Sequence, residues 1–492
     1  MTGEALGPAS REGVSSLTAV FRYAPAFPIR LPPASLPDSA FSLVPLLKHN
    51  NSEIYENEQE NLRKCRQFPG APAFPATNGK SHALGARMAA FDLPICITAL
   101  LLVLSGLPNT LLAQSLKTPE FQERATKGFD RVYSLDYEDA RSAFEHLRQQ
   151  YPQHPGPPLY LALTLWQREL FRRQDLALDR FVAPESFMQA QEQQMPAEDR
   201  NAFFRYIGES QAFCRAILKD KPSDRDARYF LGAAHGALAA FALTIDHDKR
   251  EAFRQGKQAY QYHLGIAVEQ PDYYDAYVTL GLYEYIVANL PWYMKWIAQI
   301  AGYKGSEERS FKYLRMAATK SQFVSVNARS ILVVLCLREQ MYEEALENAQ
   351  FLQRRYPRNF LLQLNVAQIF TEMNRPDQAA DVYTKIIEQA EARTPNYQKM
   401  PLGVFRYRIG KAFMSMDRLE LAQRLFTAAI QDPTTAERER TLSLLCLAQV
   451  LDLRGNRQQA IANYQQVLSG ANFEDSHSTA QAYLKKPYRR AR

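Results

Sequence analysis

The side chains best suited to hold a metal ion or to exchange protons fall in one short stretch of the chain. They are His235, Asp246, His247, Asp248 and His263. Imidazole and carboxylate groups bind divalent metals and serve as acids and bases. His235, however, lies among alanine and glycine on an apolar face, and residues 246–248 fit a loop whose aspartate caps a helix beginning at Lys249. We therefore favour core or boundary histidines, and keep an enzyme with an unrecognised His/Asp site as the third functional hypothesis.

The sequence contains none of the familiar catalytic motifs. H-E-x-x-H, the phosphate-binding P-loop, G-x-S-x-G and paired cysteines are all missing. The five cysteines form no C-x-x-C pair, so neither a zinc ribbon nor a redox motif can be built from them. Three of them, Cys214, Cys336 and Cys446, lie in apolar helical patterns and are expected to be structural thiols. We predict no catalytic residue, no metal and no cofactor.

The densest group of aromatic residues lies between residues 273 and 296. Its members are Tyr273, Tyr274, Tyr277, Tyr283, Tyr285, Trp292, Tyr293 and Trp296. Aromatic side chains dominate both binding hot spots and the cores of helical repeats, and core packing is the favoured interpretation for most of this group. The apolar run LPWYMKWIAQI, from Leu290, suits an exposed loop poorly. We expect Trp292, Tyr293 and Trp296 to contact a partner or a membrane surface.

A spaced motif indicates the elements that must position these side chains. A small residue is followed by alanine twelve positions later and usually by an aromatic residue four positions after that. The copies are Gly128/Ala140/Phe144, Val333/Ala345/Ala349, Ala367/Ala379/Tyr383, Gly410/Ala422/Phe426 and Ala448/Ala460/Tyr464. From about Leu116 onward apolar residues recur at helical spacing, with no alternating strand pattern. The chain is therefore predicted to be a stack of helix pairs.

These copies resemble the tetratricopeptide repeat (TPR), an antiparallel helix pair of about 34 residues. The resemblance implies an all-α, right-handed solenoid of six to eight helix pairs. We predict degenerate, elongated repeats over 114–320 and regular repeats with a C-terminal capping helix over 321–492. The segment from Leu290 also resembles TPR proteins related to a mitochondrial inclusion-body clearance factor, which would imply association with lipid droplets or protein inclusions.

TPR proteins usually bind through a concave face formed by positions 2, 5, 9 and 12 of each first helix, helix A. Here these positions are Asp275, Val278, Leu282, Tyr285, Asn327, Ser330, Val334, Leu337, Leu361, Leu364, Gln368, Thr371, Val404, Tyr407, Lys411 and Met414. The mixture of apolar and polar side chains favours an extended or helical peptide. Candidate partner-binding residues are Tyr277, Tyr285, Trp292, Tyr293, Trp296, Tyr407 and Lys411.

The first 113 residues differ from the rest. Residues 1–87 are rich in Pro, Ala and Ser and are predicted to be disordered, unless translation begins at Met88. Residues 88–113 carry an apolar stretch whose length suits a signal peptide. An uncleaved membrane anchor and a buried helix are the alternatives. The location is therefore expected to be periplasmic or secreted, or else the inner membrane.

The formal charge is small for this length, since 59 Lys+Arg face 52 Asp+Glu. No basic stripe in a recognised fold indicates nucleic-acid binding. The leading hypothesis is a non-enzymatic TPR scaffold that docks proteins in a bacterial envelope assembly. The second is a membrane-anchored cytosolic adaptor whose 290–300 helix touches lipid.

Overall fold

The computed structural model describes residues 116–176, 194–290, 305–321 and 323–490. Within these ranges the chain forms 17 α-helices and no strand. The first ten are α1 (Pro119–Tyr133), α2 (Tyr137–Gln150), α3 (Gly156–Arg172), α4 (Ala197–Asp220), α5 (Arg225–Thr244), α6 (Lys249–Glu269), α7 (Tyr277–Ala288), α8 (Glu307–Lys320), α9 (Ser325–Arg338) and α10 (Tyr342–Arg355). The others are α11 (Phe360–Glu372), α12 (Pro376–Glu391), α13 (Leu402–Ser415), α14 (Leu419–Gln431), α15 (Glu437–Leu453), α16 (Arg457–Ser469) and α17 (Ser476–Lys485).

Consecutive helices pack as pairs, and each pair packs on the next. The eight pairs run from α1 with α2 to α15 with α16, and α17 covers the last of them. The predicted all-α solenoid is confirmed, at the upper end of the predicted number of pairs. Residues 1–113 lie outside the described residues, so the expectations for 1–87 and 88–113 stay predictions. None of the helices described is long and apolar enough to cross a membrane.

The small residue of helix A is needed because helix B presses an aromatic ring against it. A Cβ atom placed on Gly128 would lie 2.3 Å from Cε1 of Phe144, and one on Gly410 would lie 2.6 Å from Cε1 of Phe426. Such distances are far below van der Waals contact, so glycine is required at these two crossings. The motif therefore marks the crossing point within each pair.

Two pairs obey the same packing rule without matching the motif. In α4 and α8 the alanine position is taken by Ser210 and Ser310, each fully buried, and the residues four positions later are Cys214 and Leu314. Leu314 packs on Gly281 of helix A. The Ser210 hydroxyl donates to the Pro155 carbonyl at 2.8 Å, whereas the Ser310 hydroxyl is buried without a partner among the described residues. A sequence motif that requires alanine at this position therefore does not detect these two pairs.

The turn from helix A to helix B has one repeated backbone form. In six pairs a residue with positive φ follows helix A, and these residues are Leu135, Gln174, Gln340, Asn374, Asp417 and Gly455. The next N–H donates to a carbonyl five residues back, as from Asp136 to Arg131 at 2.8 Å. This bond closes a Schellman motif, which satisfies carbonyls at the helix end. Gly455 adopts this conformation without steric penalty, and Asn374 and Asp417 tolerate it, whereas the side chain of Leu135 disfavours it.

Candidate functional site

The inner surface of the solenoid is partly filled by the chain itself. Residues 116–136, here called the inner segment, comprise α1 and its flanks and lie against pairs far along the sequence. The Asp130 carboxylate accepts a hydrogen bond from the Tyr356 hydroxyl at 2.7 Å. The Lys399 ammonium donates to the Leu135 carbonyl at 2.8 Å. Residues more than 220 positions apart are thus joined across the interior.

Amide side chains extend the same contact. Asn359 donates to the Tyr133 carbonyl at 2.7 Å, and the Tyr133 hydroxyl bonds to Asn327. Asn396 donates to the Ser134 carbonyl. Because these groups satisfy the carbonyls that end α1, the inner segment is bonded in place as well as packed.

A buried ion pair anchors the beginning of the inner segment. The Lys117 ammonium lies 2.5 Å from the Asp275 carboxylate, and their side chains are 8% and 11% exposed. The same carboxylate accepts from the Ser321 hydroxyl. Burial would raise the pKa of Asp275, but the charge and hydrogen bonds of Lys117 and the bond from Ser321 outweigh it and lower the pKa. Lys117 also lies 3.5 Å from the centre of the Tyr229 ring.

Several predicted concave positions are therefore already engaged. Asp275 holds Lys117, and Asn327 bonds to Tyr133. The Phe129 ring of α1 lies 5.6 Å from that of Phe323, centre to centre. Across the first five or six pairs, the concave surface acts in part as an internal interface.

Two predicted partner-binding tyrosines of α7 are buried. Tyr277 is 7% exposed and donates to the Pro271 carbonyl at 2.9 Å. Tyr285 is 3% exposed and donates to Glu339 at the end of α9. Their surroundings favour the core-packing interpretation of the aromatic group. Trp292, Tyr293 and Trp296 lie outside the described residues, and their role stays a prediction.

The other two predicted residues lie on α13, beyond the reach of the inner segment. Lys411 is exposed, and within the part of the chain that the structure describes its ammonium makes no hydrogen bond or ion pair. It lies 5.4 Å from the centre of the Tyr407 ring, which is 9% exposed. Val404 and Met414, on the same predicted face, are half-buried. We call these four positions of α13 the open surface.

Four of the five candidate metal and acid–base residues have a structural partner. His263 donates through Nε2 to the Tyr229 carbonyl at 3.0 Å, and burial lowers its pKa to about 4. It fills the aromatic position of its pair, against Gly232. His235 bonds to Gln255 at 2.6 Å. The described part of the chain holds no group of three or more His, Cys, Asp or Glu residues able to bind a metal.

The predicted loop around His247 is also accounted for. Asp246 pairs with Arg200 at 3.0 Å. Asp248 caps α6 by accepting from the N–H groups of Arg250 and Glu251, each at 3.0 Å. The predicted N-cap before Lys249 is confirmed. The five side chains therefore do not converge on one site.

One buried histidine escaped sequence reasoning. His154 bonds through Nε2 to the Leu116 carbonyl at 2.6 Å and stacks on Phe121, 3.8 Å between ring centres. Burial lowers its pKa to about 4. It lies in the turn before α3, where its sequence context Gln-His-Pro-Gly resembles an ordinary loop.

The three cysteines within the described ranges have the environment expected of structural thiols. Cys214, Cys336 and Cys446 are free and buried. Burial raises the pKa of Cys214 and of Cys336 to about 12 and that of Cys446 to about 11. A thiol that stays protonated at neutral pH is a poor nucleophile, so structural thiols are the consistent interpretation.

Fold and inner surface together define a TPR-like α-solenoid. No family model and no curated protein matches the sequence. Solved structures that match include yeast Tom70, with a TM-score of 0.31 and 10% identity over 91% of this chain and 96% of that one. The human IFIT1 dimer with PPP-AAAA matches with a TM-score of 0.33 and 14% identity over 76% of this chain and 86% of that one. The human IFIT1 dimer with m7Gppp-AAAA matches with a TM-score of 0.34 and 12% identity over 75% of this chain and 85% of that one. The helix pairs themselves, rather than these distant matches, establish the fold.

Proposed function

We propose that this protein is a non-enzymatic scaffold that holds a protein partner on the open surface of α13. The observation that carries the proposal is Lys411, an exposed and unpaired ammonium beside the Tyr407 ring. The exposed ammonium can pair with a partner carboxylate, and the buried Tyr407 ring supports the lysine side chain from within the helix layer. The inner surface of the earlier pairs is less suited to a partner because the inner segment lies on it.

The partner that fits best is a peptide or helix with both apolar and acidic side chains. Val404 and Met414 offer apolar contact on either side of Lys411. Methionine adapts its shape to different ligands, which suits a docking surface. Four of the candidate His/Asp side chains have structural partners, which supports the non-enzymatic part of the proposal. They are those of His235, Asp246, Asp248 and His263.

The test is partner capture with a matched charge change. Lys411→Glu is compared with Lys385→Glu, which alters an exposed lysine on α12, a helix B. Both variants and the unaltered protein are crosslinked mildly in an envelope fraction of the source cells. We expect Lys411→Glu to lose the captured partner and Lys385→Glu to retain it. Equal capture by all three proteins would overturn the proposal.

We propose further that residues 88–113 direct export to the bacterial envelope, or anchor the protein in the inner membrane. N-terminal sequencing of the native protein distinguishes a cleaved signal from an anchor. Alkaline carbonate extraction provides a second measurement, since a cleaved form is released and an anchored form is not. An intact N-terminus in a carbonate-soluble protein would contradict both versions.

The membrane-surface adaptor is the second candidate, and one feature of α7 favours it. Leu282 and Ile286 lie four residues apart and are 36% and 42% exposed, so they share one helix face. They precede the apolar run that begins at Leu290. Vesicle flotation compares Ile286→Glu with Val268→Glu, since Val268 is an exposed apolar residue on α6. Loss of flotation for Ile286→Glu alone supports contact with lipid, and unchanged flotation for both removes this candidate.

A further inference from the structure

After α17 the chain continues as an extended strip across two neighbouring repeats. Residues 486–490, here called the tail segment, begin with Lys486 at φ −140° and ψ 127°. The Tyr488 N–H donates to the Asp452 carboxylate at 2.8 Å. The Arg490 guanidinium pairs with Asp417 at 3.0 Å and donates to the Met414 carbonyl. The tail segment therefore runs from the end of α15 to the end of α13.

This path follows the concave side of the last repeats. With Ala448 and Gly410 at position 8 of their helices, Asp452 and Met414 both occupy position 12. That is one of the four concave positions in the TPR pattern. Met414 is also part of the open surface, one helical turn beyond Lys411. The tail segment thus borders the site of proposed partner binding.

The main hydrogen-bond acceptor on this surface, the Asp452 carboxylate, is held in place by residues outside the tail segment. The Asp452 side chain is fully buried, and Arg457 holds it with two bonds of 2.9 and 3.0 Å. The Tyr464 hydroxyl donates to it at 3.0 Å. Arg457 also donates to the carbonyls that end α17, those of Tyr483 and Leu484, each at 2.8 Å. These contacts involve no atom of the tail segment, so the acceptor stays in place when the tail leaves.

An aromatic contact and a cleft complete the surface. The Tyr488 ring meets the Tyr483 ring edge to face, 5.1 Å between centres. Between the tail segment and the turn from α15 to α16 lies a cleft of about 410 Å³, with Leu453 and Gly455 on its wall. The backbone N–H of the aromatic residue Tyr488 thus bonds to Asp452, and the side chain of Arg490, two positions later, reaches Asp417.

The tail itself is held loosely. Lys486, Pro487, Arg489 and Arg490 are exposed, and only Tyr488 is half-buried. The Asp417 side chain is 71% exposed. Exposed ion pairs contribute little because water and salt screen them. A segment with a few such contacts on a prebuilt surface can exchange with another of the same chemistry.

We propose that this surface takes an extended basic segment of a partner protein, with an aromatic residue two positions before an arginine, and that the tail segment competes for it. On this surface the buried Asp452 carboxylate would accept a hydrogen bond from a backbone N–H of the partner segment, and Asp417 would pair with its arginine guanidinium. The proposal rests on the proposed scaffold function. It adds to the open surface, which takes an acidic side chain, a second contact that takes a basic segment of the same partner. Tethering raises the local concentration of the tail to roughly the millimolar range, so a ligand must displace it.

The experiment measures a labelled peptide of residues 485–492, KKPYRRAR, binding to two full-length proteins by fluorescence anisotropy. One is the unaltered chain, and the other carries Y488P and R490A. Proline removes the Tyr488 N–H donor and the ring, and alanine removes the pair with Asp417. We expect the double variant to bind the peptide about tenfold more tightly, because its own tail no longer competes. Equal affinity for the two proteins would overturn the proposal.

Two peptide variants provide the matched control. Arg490 contacts Asp417. Arg489 is exposed and makes no hydrogen bond or ion pair with the described residues. Replacing the arginine equivalent to Arg490 by alanine should weaken binding about three- to fivefold, and the same change at Arg489 less than twofold. Equal losses would mean unspecific attraction of charge and would overturn the proposal. The proposal would also be overturned if the unaltered chain formed concentration-dependent dimers and the variant with Y488P and R490A did not. In that case the ligand of the surface would be the tail of a second copy.

Failure of this inference is distinguishable from failure of the scaffold function. If the peptide does not bind the double variant but Lys411→Glu still abolishes partner capture, only the role of the tail surface is lost. If the peptide binds as expected but Lys411→Glu captures the partner normally, the open surface is wrong and the tail surface stands.

Discussion

Two parts of the same inner surface differ in what covers them. In the earlier pairs the inner segment lies on helix A residues, and the Lys117 ammonium is buried against Asp275. On α13 Lys411 occupies a concave position too, yet its ammonium is exposed and unpaired. A solenoid therefore does not offer its whole concave face to ligands. Contacts distant in sequence decide which part remains accessible.

The largest expected effect is a difference in stability between alanine variants of the two lysines, Lys117 and Lys411. Lys117→Ala leaves the Asp275 carboxylate buried without its cation, which should lower the free energy of unfolding by about 3–5 kcal/mol. Lys411→Ala should change it by less than about 0.5 kcal/mol. Urea unfolding followed by hydrogen exchange in α1 measures both. A Lys117→Ala protein as stable as Lys411→Ala would show that the inner segment is not docked.

The second prediction concerns pH and again falls on the earlier pairs. Burial lowers the pKa of His154 and His263 to about 4, whereas an unfolded histidine has a pKa near 6.5. Below pH 6.5 the unfolded chain takes up protons that the folded chain does not, so stability falls as pH drops from 6.5 towards 4. At pH 5 each histidine should contribute a loss of about 2 kcal/mol.

His263→Phe sharpens that prediction. Phenylalanine is the residue that other copies place at this position, as at Phe144 and Phe426. It keeps a ring against Tyr229 but cannot be protonated. The difference between unfolding free energies at pH 7.5 and pH 5 should shrink by about 2 kcal/mol in this variant. An unchanged difference would exclude His263 as a source of the pH dependence.

The third prediction tests whether both parts share the packing of helix pairs. Gly128→Ala and Gly410→Ala drive a methyl group into Phe144 and Phe426, and each should destabilise by about 1–3 kcal/mol. Gly208→Ala is the matched control, because a Cβ atom there meets nothing within 4 Å. In the middle of α4 it should stabilise by about 0.5–1 kcal/mol. Thermal midpoints that all move in the same direction would contradict the packing rule.

The repeat motif was predictable because it records contacts within one helix pair. Gly128 and Phe144 are sixteen residues apart, and their counterparts Gly410 and Phe426 keep that spacing. The turn conformation was not predictable, since a residue such as Leu135 carries no sign of a positive φ. Ser210 and Ser310 escaped notice because they fill the alanine position with a polar side chain that still fits.

The division of the inner surface was also beyond the sequence. Asp130 meets Tyr356, and Tyr133 meets Asn327, across separations of 226 and 194 residues. Neither separation corresponds to the repeat length, so no local sequence pattern predicts these contacts. Sequence reasoning could place Asp275, Asn327 and Lys411 on one face. Only the three-dimensional path of α1 distinguishes the covered positions from the exposed one.

The most direct test of this account is site-specific photocrosslinking in the source cells. A photoreactive amino acid replaces Lys411 on the open surface, Asn327 under the inner segment, or Lys385 on helix B α12. We expect partner adducts from position 411, an internal crosslink to residues 116–136 from position 327, and no adduct from position 385. Partner adducts from position 327 with none from position 411 would contradict the account.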